Sequence, residues 1–214
     1  MKVQKTNPSF GSLPIYKAKL TQPFFLRPFL RAKDVFISEL DSTDIPRLGK
    51  AYDDYWYQTR FGPRIISEFE YAFSEPFRTM KKPERFFVVE SAEPLPEKRK
   101  IKALALAEIH KDHIKLQLLQ SQRETRKCFS QGGAGSCLLY VISRAANLLG
   151  KNSVELASAK QAIDFYKSQC GFKERITHRC TNFFLDRKRM PVFGQDVAQR
   201  YSIKPLVKEE NFFC

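Results

Sequence analysis

Gly132-Gly133-Ala134-Gly135-Ser136-Cys137-Leu138-Leu139 is the stretch on which the fold is decided. Gly133 and Gly135 stand directly before a run in which Leu138, Leu139, Ile142, Ala145, Ala146 and Leu149 share one helical face, with Gly150 as its C-cap. A glycine loop that opens into a helix is a ready anion site, because the first amides have no partner inside the helix and the positive end of its dipole points the same way. Alone the motif is weak, since glycine ahead of a helix is often turn chemistry and nothing more. Two familiar phosphate loops are excluded: the dinucleotide fingerprint needs a third glycine where Leu138 stands, and the P-loop needs Gly-Lys-Ser/Thr. Arg123, Arg126 and Lys127, shortly before the loop, favour a pyrophosphate or 3′-phosphate ligand, although a solvated surface loop accounts for them as well.

Downstream of that helix, Ser153–Ala157 predicts a short strand, and Ala159, Ala162, Ile163, Tyr166 and Cys170 line a second helix that stops at Gly171. Phe172–Arg179 and Asn182–Asp186 read as two closing strands, and Met190–Cys214 shows no clear period. Upstream, Val35–Leu40 reads as a strand. Asp41-Ser42-Thr43-Asp44 then offers an N-cap, and Pro46 suits the first turn of a helix carrying Ile45, Leu48, Tyr52 and Tyr55. A further helix is predicted over Ile65–Phe77. Arg85–Ser91, Ile101–His110 and Ile114–Leu119 follow as an antiparallel meander. The order β-α-α-β-β-β-α-β-α-β-β combines a meander with crossover helices, so the sheet is mixed rather than purely parallel.

The run Gly133–Leu139 resembles the acetyl-CoA pyrophosphate loop of the GNAT-type N-acetyltransferase superfamily, usually Arg/Gln-x-x-Gly-x-Gly/Ala followed by a paired-Leu helix. Ala162-Ile163-Asp164-Phe165-Tyr166, followed by Gly171-Phe172, resembles that family's second motif. The two together, separated by a helix and a strand, make the resemblance specific, and the element order over residues 34–189 fits it. There are departures. The leading Arg/Gln aligns with Ser130, leaving Gln131 one place late, and the loop before the glycines is longer than usual. A common Asn is replaced by Ala159, beside Ser158. Arg126 or Lys127 can supply the charge that Ser130 lacks. The resemblance implies an α/β (mixed α+β) fold, a central splayed sheet of about six to seven strands flanked by about four helices.

The same resemblance implies acetyl transfer from acetyl-CoA to an amine in a ternary complex, without a covalent acyl-enzyme. Holding two reactants side by side in the splayed sheet removes most of the entropic barrier. Backbone amides near Leu118, Leu119 and Gln120 would bind the pantetheine arm and polarise the thioester, and those of Gln131, Gly132, Gly133, Ala134, Gly135 and Ser136 would hold the pyrophosphate. Tyr166 matches the family's general acid, a phenol that is neutral at pH 7 and can protonate the departing thiolate; an aromatic packing its helix onto the sheet is the plainer reading. Glu108, the only acid within Ile101–Ile109, is the candidate base, with Glu124 a weaker one. Where Glu108 faces inward, desolvation would raise its pKa toward a useful value; an outward-facing strand residue is the alternative. On the acceptor side, Tyr52, Asp53, Asp54, Tyr55, Trp56 and Tyr57, then Glu68, Glu70 and Tyr71, either offer an aromatic and acidic surface to a cationic amine or pack the core and face water.

Composition bounds these readings. A chain of 214 residues argues for one domain, large enough to bury roughly 70% of its surface without disulfide or metal staples. With 43% hydrophobic and 28% charged residues, wholesale disorder is excluded. Lys and Arg number 37 against 23 Asp and Glu, a net +14 that suits a polyanionic partner such as CoA or nucleic acid and disfavours a highly cationic acceptor such as a polyamine. Residues 1–33 carry seven basic side chains and no acid, with four prolines that forbid a long helix, and read as an extended arm; residues 190–214 are an extension. Five cysteines without a CxxC pair, and a start without a continuous apolar run, point to a reducing, cytoplasmic setting with free thiols. No run is long and apolar enough for a membrane helix, and His110-x-x-His113 lacks a persuasive zinc set, so neither membrane nor metal is expected. Two readings of other classes stand beside the enzyme: a GNAT-shaped protein without catalysis, prompted by Ser130, Ala159 and the long loop, and a basic nucleic-acid or ribosome-binding module, prompted by the charge.

Overall fold

In the computed structural model, which describes residues 14–20, 33–54, 56–74, 84–122, 133–158, 160–176 and 181–208, the chain forms a nine-stranded mixed sheet with helices on both faces. The strands are β1 (Pro14–Leu20), β2 (Lys33–Glu39), β3 (Glu84–Ser91), β4 (Ile101–Ile109), β5 (His113–Ser121), β6 (Ser153–Ala157), β7 (Lys173–Ile176), β8 (Thr181–Asp186) and β9 (Lys204–Pro205). The helices are α1 (Ile45–Asp54), α2 (Gly62–Ser74), α3 (Ala134–Leu148) and α4 (Arg189–Tyr201). Across the sheet the order is β7-β8-β6-β5-β4-β3-β2-β1-β9. Neighbours pair antiparallel, with the single parallel pair β5–β6 at the crossover through α3.

Local chemistry sets the entry to α1 as the sequence predicts. Asp41 accepts a hydrogen bond from the Thr43 amide at 2.8 Å, and Asp44 accepts one from the Asp41 amide at 3.1 Å, a reciprocal capping box ahead of Pro46. One face of the sheet buries Leu48, Trp56, Ile65 and Phe69 of the α1–α2 layer against Phe86, Val88, Leu104 and Leu106. Phe69 meets Phe86 edge-on at 5.2 Å and Phe73 at 4.8 Å, pairs worth about 0.5–1.5 kcal/mol each beyond their buried area. The other face carries α3, with α4 packed alongside it.

Three features differ from the sequence expectation. The sheet has nine strands rather than six to seven, because part of the basic arm is β1 and part of the C-terminal extension is β9: Ile15, Tyr16, Ala18 and Leu20 are buried, and Pro14 stands at the first strand position, where no ladder amide is lost. The tail without a clear period contains α4, whose Met190, Phe193, Val197 and Tyr201 form a buried stripe at helical spacing that Pro191 and Gly194 obscure in the sequence. The helix expected to run through Tyr166 is present over residues 160–169 but changes its winding, from 3-10 at Lys160–Ala162 to π at Phe165–Gln169, closed by the Cys170 amide on the Phe165 carbonyl at 3.1 Å. That wider turn buries Tyr166 and Cys170 and leaves Lys167–Gln169 exposed.

Candidate functional site

The sheet opens where β5 and β6 part. Their parallel pairing runs from His113 opposite Ser153 to Leu116 opposite Leu156 and ends there, while β5 continues to Ser121. The cause lies on the other side of β5. Against β4, Leu106 pairs with Leu118 and Ala107 with Leu116, so Gln117 is an extra residue, a bulge. The bulge reverses the inside–outside alternation: Leu116 packs on the α3 side, Leu118 on the α1–α2 side and Leu119 again toward α3. Among the described residues, no strand pairs with Gln117–Ser121 on the side facing β6, so the backbone of Leu118, Leu119 and Gln120 is offered to the gap.

The first turn of α3 meets this gap. The Cys137 amide bonds the Gly133 carbonyl at 2.8 Å, which leaves the amides of Ala134, Gly135 and Ser136 without a carbonyl inside the helix. A Cβ on Gly135 would lie 3.4 Å from Leu119 Cδ2 and 3.9 Å from Phe165 Cζ, so β5, α3 and the turn after β6 converge on this glycine. Gly133 adopts φ 111° and ψ −14°, in the left-handed region, and a Cβ there would fall 2.2 Å from Tyr201 Cε1. Arg123, Glu124, Arg126, Lys127, Ser130, Gln131, Gly132 and Ala159 lie outside the described residues, as do Tyr55 and His178.

Tyr166 follows Phe165 on the π-helical turn, with ring centroids 5.1 Å apart, and packs between Phe172 and Phe183. Burial pushes its phenol up to about 12, and the neighbouring Cys170 thiol adds to the rise. Burial likewise pushes the thiols of Cys137 and Cys170 up to about 12, so both are protonated, apolar packing groups at neutral pH.

Glu108 is placed elsewhere. It shares the parity of Leu104 and Leu106 and so lies on the α1–α2 face, but it stands opposite Lys115 at the hairpin end of β4. Leu119, four residues along β5 from Lys115, is about 13 Å further on. Glu108 Oε2 is 3.1 Å from His110 Nε2, the His110 ring stacks on His113 at 4.4 Å, and His113 Nδ1 is 2.8 Å from Asp112 Oδ1. The His113 contact lowers the Asp112 pKa. A small cavity of about 10 Å³, bounded by Ala107, Ile114, Ile142 and Leu149, lies under the C-terminal half of α3, away from Gly133.

The acceptor-side helices are tied to the gap through Gln120. Its side chain donates to the Ser121 carbonyl at 2.8 Å and accepts from the Phe61 amide at 3.3 Å, bringing the start of α2 to the open end of β5. Trp56 is core, whereas Tyr52, Tyr57 and Tyr71 are exposed, with Tyr52 and Tyr57 6.5 Å apart and Asp53 exposed between them in sequence. Sequence reasoning missed a buried ion network behind this layer. Arg47 of α1 donates to both Asp44 and Glu90, and Arg99 donates to Glu90 at 3.1 Å while its guanidinium sits 4.9 Å over Phe36. Asp44 and Glu90 are fully buried. Burial pulls the Arg47 pKa down, but Glu90 and Asp44 outweigh it and the net shift is upward. Its one sequence signal was the Asp44–Arg47 spacing at the entry to α1.

No family model matches the chain, and no curated protein does. Solved structures do. A GNAT-family acetyltransferase from Staphylococcus aureus is 10% identical, covering 72% of this chain and 99% of that one with a TM-score of 0.48. The spermidine/spermine N-acetyltransferase SpeG from Vibrio cholerae, in mutant form, is 15% identical over 74% of this chain and 96% of that one, with a TM-score of 0.46. A mutant of the AtaT toxin, bound to the C-terminus of the antitoxin AtaR and to acetyl-CoA, is 17% identical over 51% of this chain and 71% of that one, with a TM-score of 0.39.

Proposed function

We propose that the chain is an N-acetyltransferase, moving an acetyl group from acetyl-CoA to an amine of a protein or small molecule within one ternary complex. The observation that carries this reading is the meeting, at one end of the sheet, of an open β5 edge with the unpartnered amides of the first turn of α3. A strand edge offers hydrogen bonds to an extended amide-bearing arm, and a helix N-terminus offers them to a pyrophosphate. Acetyl-CoA has both parts, in that order. Leu118, Leu119 and Gln120 take the pantetheine arm and polarise the thioester carbonyl; Gly133, Ala134, Gly135 and Ser136 take the pyrophosphate, and the sequence resemblance assigns Gln131, Gly132, Arg126 and Lys127 to the same ligand.

In the transfer, the amine nitrogen attacks the thioester carbon, the oxyanion forms against β5 amides, and the carbon–sulfur bond breaks as Tyr166 donates its proton to the leaving thiolate. Glu108 can take the proton of the amine only through intervening water, since it stands at the hairpin end of β4. The exposed Tyr52, Tyr57 and Asp53 support entry of a cationic amine from the α1–α2 side, through charge and ring-face attraction.

The test is acetyl-CoA turnover against a panel of peptide α-amines, lysine peptides and small amines, read as free thiol. Thiol release that depends on one amine class supports the reading. Binding of acetyl-CoA with no release on any amine would assign the chain to a GNAT-shaped protein without catalysis.

A further inference from the structure

We propose that Tyr201 is a positioning residue for the glycine loop, which makes the C-terminal helix α4 a working part of the acetyl-CoA site; this rests on the acetyl-CoA reading above. At Gly133 the chain turns into α3 with φ 111°, a conformation that L side chains rarely adopt. The Tyr201 ring fills the space a side chain would take there: a Cβ would lie 2.2 Å from Cε1, 2.6 Å from Cζ and 2.9 Å from Cδ1. Gly133 is therefore required twice by the protein itself, once by the backbone angle and once by the ring. Gly133, the N-cap of α3, has no side chain with which to cap it, in contrast to the Asp41 box ahead of α1. The contact on Gly133 takes over the task a cap performs, fixing the angle at which the chain enters the helix and with it the direction of the Ala134–Ser136 amides.

Tyr201 is itself held from a distance. It ends α4, which runs antiparallel to α3, since Gly194 faces Tyr140 and Arg144 while Tyr201 faces Gly133. Ser202, at φ 48°, reverses the chain, the Ile203 amide bonds the Ala198 carbonyl at 2.9 Å, and the Leu206 amide bonds the Ile15 carbonyl of β1 at 2.8 Å. Strand β9 then pairs with Tyr16 and Lys17. The ring that sets the glycine loop is thus anchored at the far edge of the sheet, in segments outside the family resemblance.

The test compares the full chain with Tyr201→Ala, Tyr201→Phe and Val197→Ala, the last being buried on the same stripe one turn earlier. Two quantities are read: acetyl-CoA affinity, and hydrogen exchange of the Ala134–Ser136 amides without ligand. Freeing one loop residue to be ordered again on binding predicts about tenfold weaker affinity and faster exchange for Tyr201→Ala. Tyr201→Phe should behave as wild type, and Val197→Ala should melt at a lower temperature with affinity unchanged. Should Tyr201→Ala not fold, Tyr201→Leu keeps the stripe apolar and is read in the same way. A binding wild type with an equally tight Tyr201→Ala, or equal weakening by Val197→Ala, overturns this inference alone; a wild type that binds no acetyl-CoA overturns the acetyl-CoA reading and this inference with it.

Discussion

Tyr166 has a buried phenol whose pKa in the fold, about 12, lies above its ordinary value of 10. A group raised in this way stabilises the fold fully below pH 10 and loses that contribution as pH climbs through 12. Across the neutral range it is therefore a protonated donor. The difference in phenolate absorbance between wild type and Tyr166→Phe is expected to develop only toward pH 12. Tyr166→Phe is expected to lower turnover about a hundredfold with little change in acetyl-CoA affinity, the size of a lost general acid. Glu108→Gln should cost less than about tenfold, because Glu108 stands at the hairpin end of β4, away from the gap; a loss as large as that of Tyr166→Phe would restore a direct role as base. Residue chemistry was legible to different depths in these two cases. Tyr166 was marked by a string of neighbours, Ala162 to Gly171, whereas Glu108 was marked only by being the lone acid of an apolar strand. Its distance from the gap depends on the register against Lys115, which the order of residues does not fix.

Elements show a similar divide. The meander, the N-cap ahead of α1 and α3 were legible because each rests on local pattern. Helix α4 was not, since Pro191 and Gly194 interrupt its stripe, yet α3 held a clue: Cys137 through Ser143 are buried on every side, and a helix apolar all round needs a second partner. The sequence Leu118-Leu119 likewise breaks strand alternation at the bulge. Between elements, Arg47 bolts α1 to β3 through Glu90. Arg47→Ala leaves two fully buried carboxylates without this partner and is expected to cost about 3–5 kcal/mol in urea unfolding. An Arg47→Met/Glu90→Gln pair should recover part of that loss. Equal stability of Arg47→Ala and wild type would show that the network does not hold the α1–α2 layer.

At the scale of the molecule, two segments far apart in sequence, β1 and β9, build one edge of the sheet. Strand β1 pairs with β2 on one side and β9 on the other, with Ile15, Tyr16, Ala18 and Leu20 in the core. A chain beginning at residue 33 is expected to lose its cooperative thermal transition, followed by circular dichroism; an unchanged transition would reduce β1 to an appendage. The sequence disclosed the basic charge of this segment but not its pairing, because strand partners far apart in the chain leave no local trace. The net charge of +14 suits a polyanionic ligand, and screening should weaken its capture as salt rises. The most direct test of the central claim is calorimetric titration of the full chain with acetyl-CoA beside Gly135→Glu. In that variant the Cβ finds ordinary contact with Leu119, and the carboxylate suits the helix start while occupying the place proposed for the pyrophosphate. Binding near the micromolar range, lost in a Gly135→Glu chain that still folds, is the predicted result. No binding by the wild type, or equal binding by both, would contradict the claim that acetyl-CoA lies between β5 and the first turn of α3.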